Sequence, residues 1–558
     1  MNKGSVITVG IVYVILLMFI IVPIALVFYE SFTWNGHITL EHYARFFGDP
    51  FFRECFLNSL LVAVACVITT SLLGIPMAYI LTRYNIPLRN FLTTLATLPL
   101  IMPPFVGALA FKFLFGRHGT LNLLLMDYFG LKTPINFIYG LHGIVLIITL
   151  HLYPLVMLNV MASLSKLDPS LEEIAENLGA KGFHLFRTVT FPLMMPGYAA
   201  GALLVFLWAF SDLGTPLIIG IYNLLAPQAF FSVQEVLFED IVRLGIVMCV
   251  IMVTFSMITL AAMRRYVSLR QYATLTMGIA PKTLLNQVKG IKRTLSIAFC
   301  VIVIAISLLP HAGIFIGAFG GIWSFTPFPT SYSLANFKTV LIDAPIFLYN
   351  SLRYSGLATV FDLAIGAVIA YLIMRKQLPG KNLLDAMAML PFALPGIVIA
   401  TGYIRAFRNP IPFTTFDLLS FWVIIALALT MRRLPYTVRA AHAALQQIHT
   451  SLEEASMNLG AGRLQTFLKI TLPLMFTGLL AGGILAFVNS ITELSCSWLL
   501  SLPGRNWEPM TVGIMIYSQT GVFGQAAALG AILIIIVAIG IAIVNRLVSV
   551  RAGTAFGA

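Results

Sequence analysis

Apolar runs long enough to cross a bilayer alternate with short polar stretches along the whole chain. The first run, Ser5–Tyr29, is almost free of polar side chains. A helix of about 20 such residues covers a hydrocarbon core. The pattern predicts about 12 spans, six in each half. They fall near 5–29, 57–81, 91–115, 141–163, 193–221 and 244–263, then near 294–317, 349–373, 383–407, 417–444, 474–500 and 523–545. The fold class implied is an all-α polytopic membrane protein. Pro99, Pro103, Pro391 and Pro395 lie inside the third and ninth spans and predict bends there, with backbone carbonyls freed.

The two halves repeat one another. Asn58-Ser59-Leu60 returns as Asn350-Ser351-Leu352, and Ala78-Tyr79 as Ala370-Tyr371, each followed by basic residues. Leu98-Pro99-x3-Pro103 returns as Leu390-Pro391-x3-Pro395, then Pro154 as Pro435 and Asp212 as Glu493. Apolar runs alone can imitate a repeat, but they do not also preserve proline, asparagine, tyrosine and acid positions. The expected organisation is a module over 1–268, a basic linker over 269–293 and a second module over 294–558. Two six-helix halves of like orientation are parallel repeats.

The clearest repeat is polar. Residues 171–193 read LEEIAENLGAKGFHLFRTVTFPL and residues 452–474 read LEEASMNLGAGRLQTFLKITLPL. Ser170-x-x-Glu173 and Ser451-x-x-Glu454 have capping-box spacing. Asp168 before Pro169 is a further helix-start signal. A short helix is expected to end near Leu178 or Leu459, with Gly179 or Gly460 in a left-handed turn. A second short helix should end before Pro192 or Pro473. The phrase thus predicts an elbow over 168–192 and another over 449–473. Leu178, Phe183 and Phe186 on one, and Leu459, Leu464 and Phe467 on the other, put apolar side chains on a polar loop. That is the composition of a docking knob.

Composition narrows the class. The chain is 59% hydrophobic and 10% charged, against about 25% charged in soluble proteins. Its net charge of +13 lies largely between spans, so it marks membrane sidedness and not nucleic-acid binding. Arg83, Arg89, Lys181, Arg187, Arg375, Lys376, Lys381, Arg546 and Arg551 fall on one side, with seven bases and no acid over 264–293. Glu30, Glu41, Asp49, Glu54, Glu239 and Asp240 fall on the other. Both termini, the linker and both elbows are therefore expected in the cytoplasm. The first span is longer than a signal-peptide core and is expected to be retained. Five cysteines without Cys-x-x-Cys spacing read as small buried apolar residues.

Some charges lie where lipid is expected. Asp212 and Glu493 sit in the fifth and eleventh spans, where a carboxylate costs about 3 kcal/mol to insert. They are candidates for a translocation pathway, alongside Arg432 and the helix-bending Pro103 and Pro395. The alternatives are acids satisfied by neighbouring Ser and Thr, and a tenth span whose lower half already lies in cytoplasmic water. Lys112 and Arg405 are expected to snorkel to a surface. No histidine grouping has metal spacing, and no cofactor site is apparent.

The doubled phrase resembles the EAA signature of membrane subunits of binding-protein-dependent ABC importers. It departs from that signature at Ile174 in the first copy and Ser456 in the second. The resemblance implies a type I importer permease in a bacterial inner membrane. It makes Glu173, Ala175 and Gly179, and Glu454, Ala455 and Gly460, residues of ATPase-coupling helices. No Gly-x4-Gly-Lys-Ser/Thr occurs, so the chain is expected to be no enzyme and to rely on two copies of a cytoplasmic ATPase. An extracytoplasmic solute-binding protein is the other implied partner. The stretch Ser211–Gly220 resembles ferric-iron and 2-aminoethylphosphonate permeases, with ferric iron placed first and thiamine and polyamine as further cargoes. An ion-coupled secondary transporter also uses six-plus-six repeats, but it needs no docking elbows.

Overall fold

Helices dominate because the backbone of a lipid-embedded segment must satisfy its own hydrogen bonds. A computed structural model describes residues 3–235, 237–269, 287–321, 323, 326–376, 378, 380–409, 417–501 and 505–555. Most of the expected linker, 270–286, lies outside them. Among the described residues, nine helices are long and apolar enough to cross a membrane, and eleven if two bent pairs each count as a span. In the first half these include the first span Ile7–Ser31, the second Pro50–Arg83, the fourth Leu141–Leu164 and the fifth Gly182–Phe210. Their counterparts include Gly290–Phe319, Ile346–Arg375 and Arg463–Ile491. The tenth span, Val423–Gln446, carries Arg432, Arg433 and Arg439 and falls outside that apolar set.

The third and ninth spans depart from the expected bends. Each breaks outright, by 95° between Arg89–Ile101 and Pro104–Phe129, and by 113° between Lys381–Ala393 and Gly396–Ala406. Both breaks have one cause. Met102 (φ −95°, ψ 127°) and Leu394 (φ −95°, ψ 122°) leave the helix for extended backbone. Each precedes a proline, whose ring excludes the helical region for the residue before it.

The repeat landmarks have structural work. Ser59 Oγ accepts from Leu225 N (2.8 Å) and Ser351 Oγ from Met510 N (2.7 Å). Each satisfies an N–H at the start of a helix, where no intrahelical acceptor exists. The amides of Asn58 and Asn350 donate to the carbonyls of Asn223 and of Asn506 and Glu508. A two-stranded hairpin, Thr33–Trp34 with His37–Ile38, turns through Asn35 and Gly36 at positive φ after the first span.

Packing divides the chain differently from the sequence repeat. One compact unit holds Met1–Gly48, Ala229–Val253 and Leu334–Ala558; the other holds Asp49–Gln228 and Thr254–Ser333. In the first unit, Val12, Leu16 and Ile20 of the first span share a core with Ile369, Leu372, Met387 and Leu434 of the second half. In the other, Gly290–Phe319 packs on the broken third span, with Gly313 against Leu114 and Ala110. All five cysteines are free and buried.

Candidate functional site

Each elbow is built by local rules. Asp168 caps the helix Pro169–Asn177 by accepting from Ser170 N at 2.9 Å, with its carboxyl held below the usual carboxylate range by that bond. The expected capping box is displaced, because Pro169 occupies the first helical position and moves the cap back to Asp168. In the second elbow, helix Ser451–Asn458 starts from Thr450, which makes no side-chain cap bond, and His449 Nδ1 accepts from Ser451 N at 3.3 Å. The helix ends are the same in both copies. Ala180 N bonds Ala175 O and Gly179 N bonds Glu176 O; Ala461 N bonds Ser456 O and Gly460 N bonds Met457 O. This paired closure needs a left-handed residue, and Gly179 (φ +95°) and Gly460 (φ +89°) supply it.

The second short helix does not stop before its proline. It runs through a five-residue π segment, Phe186–Thr190 or Phe467–Thr471, into the fifth or eleventh span. There Phe191 N bonds Phe186 O and Leu472 N bonds Phe467 O, five residues back. The wider turn carries the chain past Pro192 and Pro473, which lack an N–H and would crowd an α-helical carbonyl.

The structure sorts the expected docking residues. Leu178 and Leu459 are 84% and 89% exposed, Phe183 and Leu464 75% and 70%. Glu173, Glu454, Ala455, Gly179 and Gly460 are exposed beside them, and Ala175 is half-buried. Phe186 and Phe467 are not part of that surface. They are half-buried and turned inward onto Tyr79 (6.0 Å between ring centres) and Tyr371 (4.9 Å). This explains the repeated tyrosine.

Sequence reasoning missed the acid beside each expected one. Glu172 pairs with Arg83 at 3.2 Å and accepts from Thr190 Oγ1 at 2.7 Å. Glu453 pairs with Arg375 at 3.0 Å, and Arg375 also donates to the carbonyls of Leu445 and Ile448. The signal was the doubled Glu-Glu in both phrases and the arginine that ends each second span. Nothing local told which glutamate would turn inward.

The intramembrane candidates lie at the helix breaks and the ends of the fifth and eleventh spans. Arg432 Nη1 donates to Glu493 Oε1 at 3.0 Å, with the Glu493 side chain 3% exposed and that of Arg432 17%. Arg433, next to it, is buried. Glu493 also accepts from Cys496 N, Ser497 N and Ser497 Oγ, at the start of helix Ser495–Leu500. Pro395 precedes Gly396, where a Cβ would meet Arg432 Nη1 at 1.7 Å and Glu493 Oε1 at 2.6 Å. In the other unit, Pro103 begins the second limb of the broken third span. A small cavity beside it is lined by Pro99, Met102, Pro104, His151, Ser307 and His311. Asp212 faces the N–H groups of Gly214 and Thr215, and its Oδ2 has no hydrogen-bond partner. Arg405 is half-buried and pairs with Glu30 at 3.4 Å, and Arg243 contacts the same carboxylate. Lys112 is half-buried.

Comparison with known proteins agrees with this geometry. The family described as binding-protein-dependent transport system inner membrane component matches residues 70–271 and 362–551, one elbow in each match. A ferric transport system permease protein of Actinobacillus pleuropneumoniae is 28% identical over 544 residues, covering 96% of this chain and 77% of that one. A putative ferric transport system permease protein of Haemophilus influenzae is 27% identical over 491 residues, covering 87% and 76%. The molybdenum transport system permease protein of Escherichia coli K12 is 34% identical over 210 residues, covering 36% of this chain and 89% of its own length. With its apolar helices, its two-fold internal repeat and both matches in register with that repeat, the chain belongs to the family of binding-protein-dependent transport system inner membrane components: it is a permease subunit of an ABC importer, and not an enzyme.

Proposed function

We propose that this permease carries ferric iron across the inner membrane, with one cytoplasmic ATPase docked on each elbow. The docking reading rests on one observation: two elbows of the same build each present an exposed leucine and a second apolar side chain beside a glycine turn. Two such knobs call for two ATPase copies. Closure of the ATPases on ATP displaces the elbows, and the helix bundles switch between outward and inward access as a two-state equilibrium. An extracytoplasmic binding protein delivers the solute to the face opposite the elbows, and both termini share the cytoplasmic side with them.

Ferric iron is supported by the relatives named for ferric transport, which align over most of this chain. The paired acids add little to it. Glu493 is already neutralised by Arg432, so of the two only Asp212 keeps an oxygen free for a passing cation. Arg432, Pro103 and Pro395 belong to the pathway as the parts that shape the helix breaks. A putative 2-aminoethylphosphonate permease of Salmonella typhimurium, 33% identical over 187 residues, keeps that cargo as the second reading.

Leu178→Asp with Leu459→Asp should leave the folded permease intact, since both side chains are exposed, and weaken co-purification of the ATPase by about tenfold per elbow. Unchanged co-purification would remove the elbows from the docking site. Cells supplied with the permease, its ATPase and its binding protein should accumulate radiolabelled ferric iron. Uptake of 2-aminoethylphosphonate without iron would reassign the cargo.

A further inference from the structure

We propose that Arg83–Glu172 and Arg375–Glu453 are positioning pairs that make each elbow move as one body with the second span of its own half. The inference rests on the elbows being where the ATPases dock, and it identifies how their displacement enters the membrane.

The exposed part of an elbow is short, and a partner pushing on it would flex it unless it were held. Each is held at two points of one helix. In the first half, Phe186 stands on Tyr79 and Glu172 on Arg83. In the second, Phe467 stands on Tyr371 and Glu453 on Arg375. The tyrosine and arginine are one turn apart at the end of the span, so the two contacts lie about 6 Å apart along one face. A single contact would act as a pivot. Two, one aromatic and one ionic, fix orientation as well as distance.

The ion pairs are sheltered from water. The side chains of Arg83 and Glu172 are 3% and 15% exposed, and those of Arg375 and Glu453 10% and 8%. Shelter keeps the attraction from being screened as it is on a surface. Each pair has a further anchor on another span. Thr190, at the root of the fifth span, donates to Glu172. Arg375 donates to Ile448 O at 2.6 Å and Leu445 O at 3.3 Å, just beyond and at the end of the tenth span. An elbow pushed by its ATPase would therefore carry the second span with it. The exposed Glu173 and Glu454 remain free to face the partner.

The test uses the full complex of permease, ATPase and binding protein in liposomes. The variants are Glu172→Gln, Glu453→Gln, both together, and the reversal Arg83→Glu with Glu172→Arg. The first-half pair is the one reversed because Arg83 makes no bond to helix-end carbonyls that a glutamate would repel. The neutralised variants should keep the ATPase bound and hydrolysing ATP. They should lose about tenfold in stimulation of hydrolysis by the binding protein and in uptake of radiolabelled ferric iron, and the reversal should recover most of that loss, as coupled partners do. Normal stimulation and uptake in the double neutralised variant would overturn the proposal. So would loss of assembly that the reversal fails to restore, which marks a purely structural pair. If Leu178→Asp and Leu459→Asp leave ATPase binding unchanged, the docking reading fails instead, and that result is separate from these.

Discussion

The two halves are alike at their elbows and unlike inside their spans. Both elbows close with the same pair of backbone bonds, show a leucine at the same place and pass through a π segment of the same length. At the broken third and ninth spans, by contrast, the first half places Pro104 and His151 where the second places Gly396 and Arg432. The glycine leaves room for a guanidinium, which then needs Glu493. The first half has a proline and a shorter histidine there instead, while a small cavity lies beside the break in both halves. The second half also buries Asp362 and Arg433, where the first has Thr70 and Leu152. Under the proposed docking, a shared kind of partner accounts for constancy at the elbows. The two interiors need not match, and a buried charge pair in one of them changes its polarity.

The strongest way to break this comparison is to remove the charge. Arg432→Met should destabilise the protein by about 3 kcal/mol, the low end for stranding a buried partner, because Ser497 and two backbone N–H groups still hold Glu493. His151→Met in the other half should cost about 1 kcal/mol. Thermal unfolding in detergent compares them, and equal costs would mean that the interiors are not functionally distinct in stability. Next in size, Gly396→Ala should cost about 2 kcal/mol through overpacking. Much of that cost should vanish in an Arg432→Ala background, because the nearest colliding atom is Arg432 Nη1, with Glu493 Oε1 the other side chain in the way. An unchanged cost would place the strain in the backbone.

Smaller effects probe the likeness of the elbows. Gly179→Ala and Gly460→Ala should each weaken the local turn by about 1 kcal/mol, the penalty of a Cβ in the left-handed region. No neighbouring atom stands in the way at either position. Amide exchange of the two elbows should speed up equally, and a large inequality would break the parallel. The smallest effect separates them. Asp168→Ala should quicken exchange in Pro169–Asn177, whereas Thr450→Ala should leave Ser451–Asn458 unchanged, since there His449 Nδ1, and not Thr450, accepts from Ser451 N. The Asp168 carboxyl is held low by the Ser170 N–H. Its contribution is therefore full across neutral pH and is lost only as pH falls below the ordinary carboxylate range.

The sequence by itself determined the spans, the doubling and the elbows, because these follow from short-range properties. Apolar length sets a span, Asp168 before Pro169 starts a helix, and Gly179 and Gly460 end one. Even the broken spans were legible as far as their position, since a proline constrains only the residue before it. Tertiary structure alone decided the angle of each break and the choice of Glu172 and Glu453 over Glu173 and Glu454. It also decided the seating of the first span on the second half's core and the rescue of Arg432 by Glu493. Apolar burial has no direction, so a greasy helix carries no address. A buried charge does need a specific partner, and that partner can be found only once the chain has brought distant residues together.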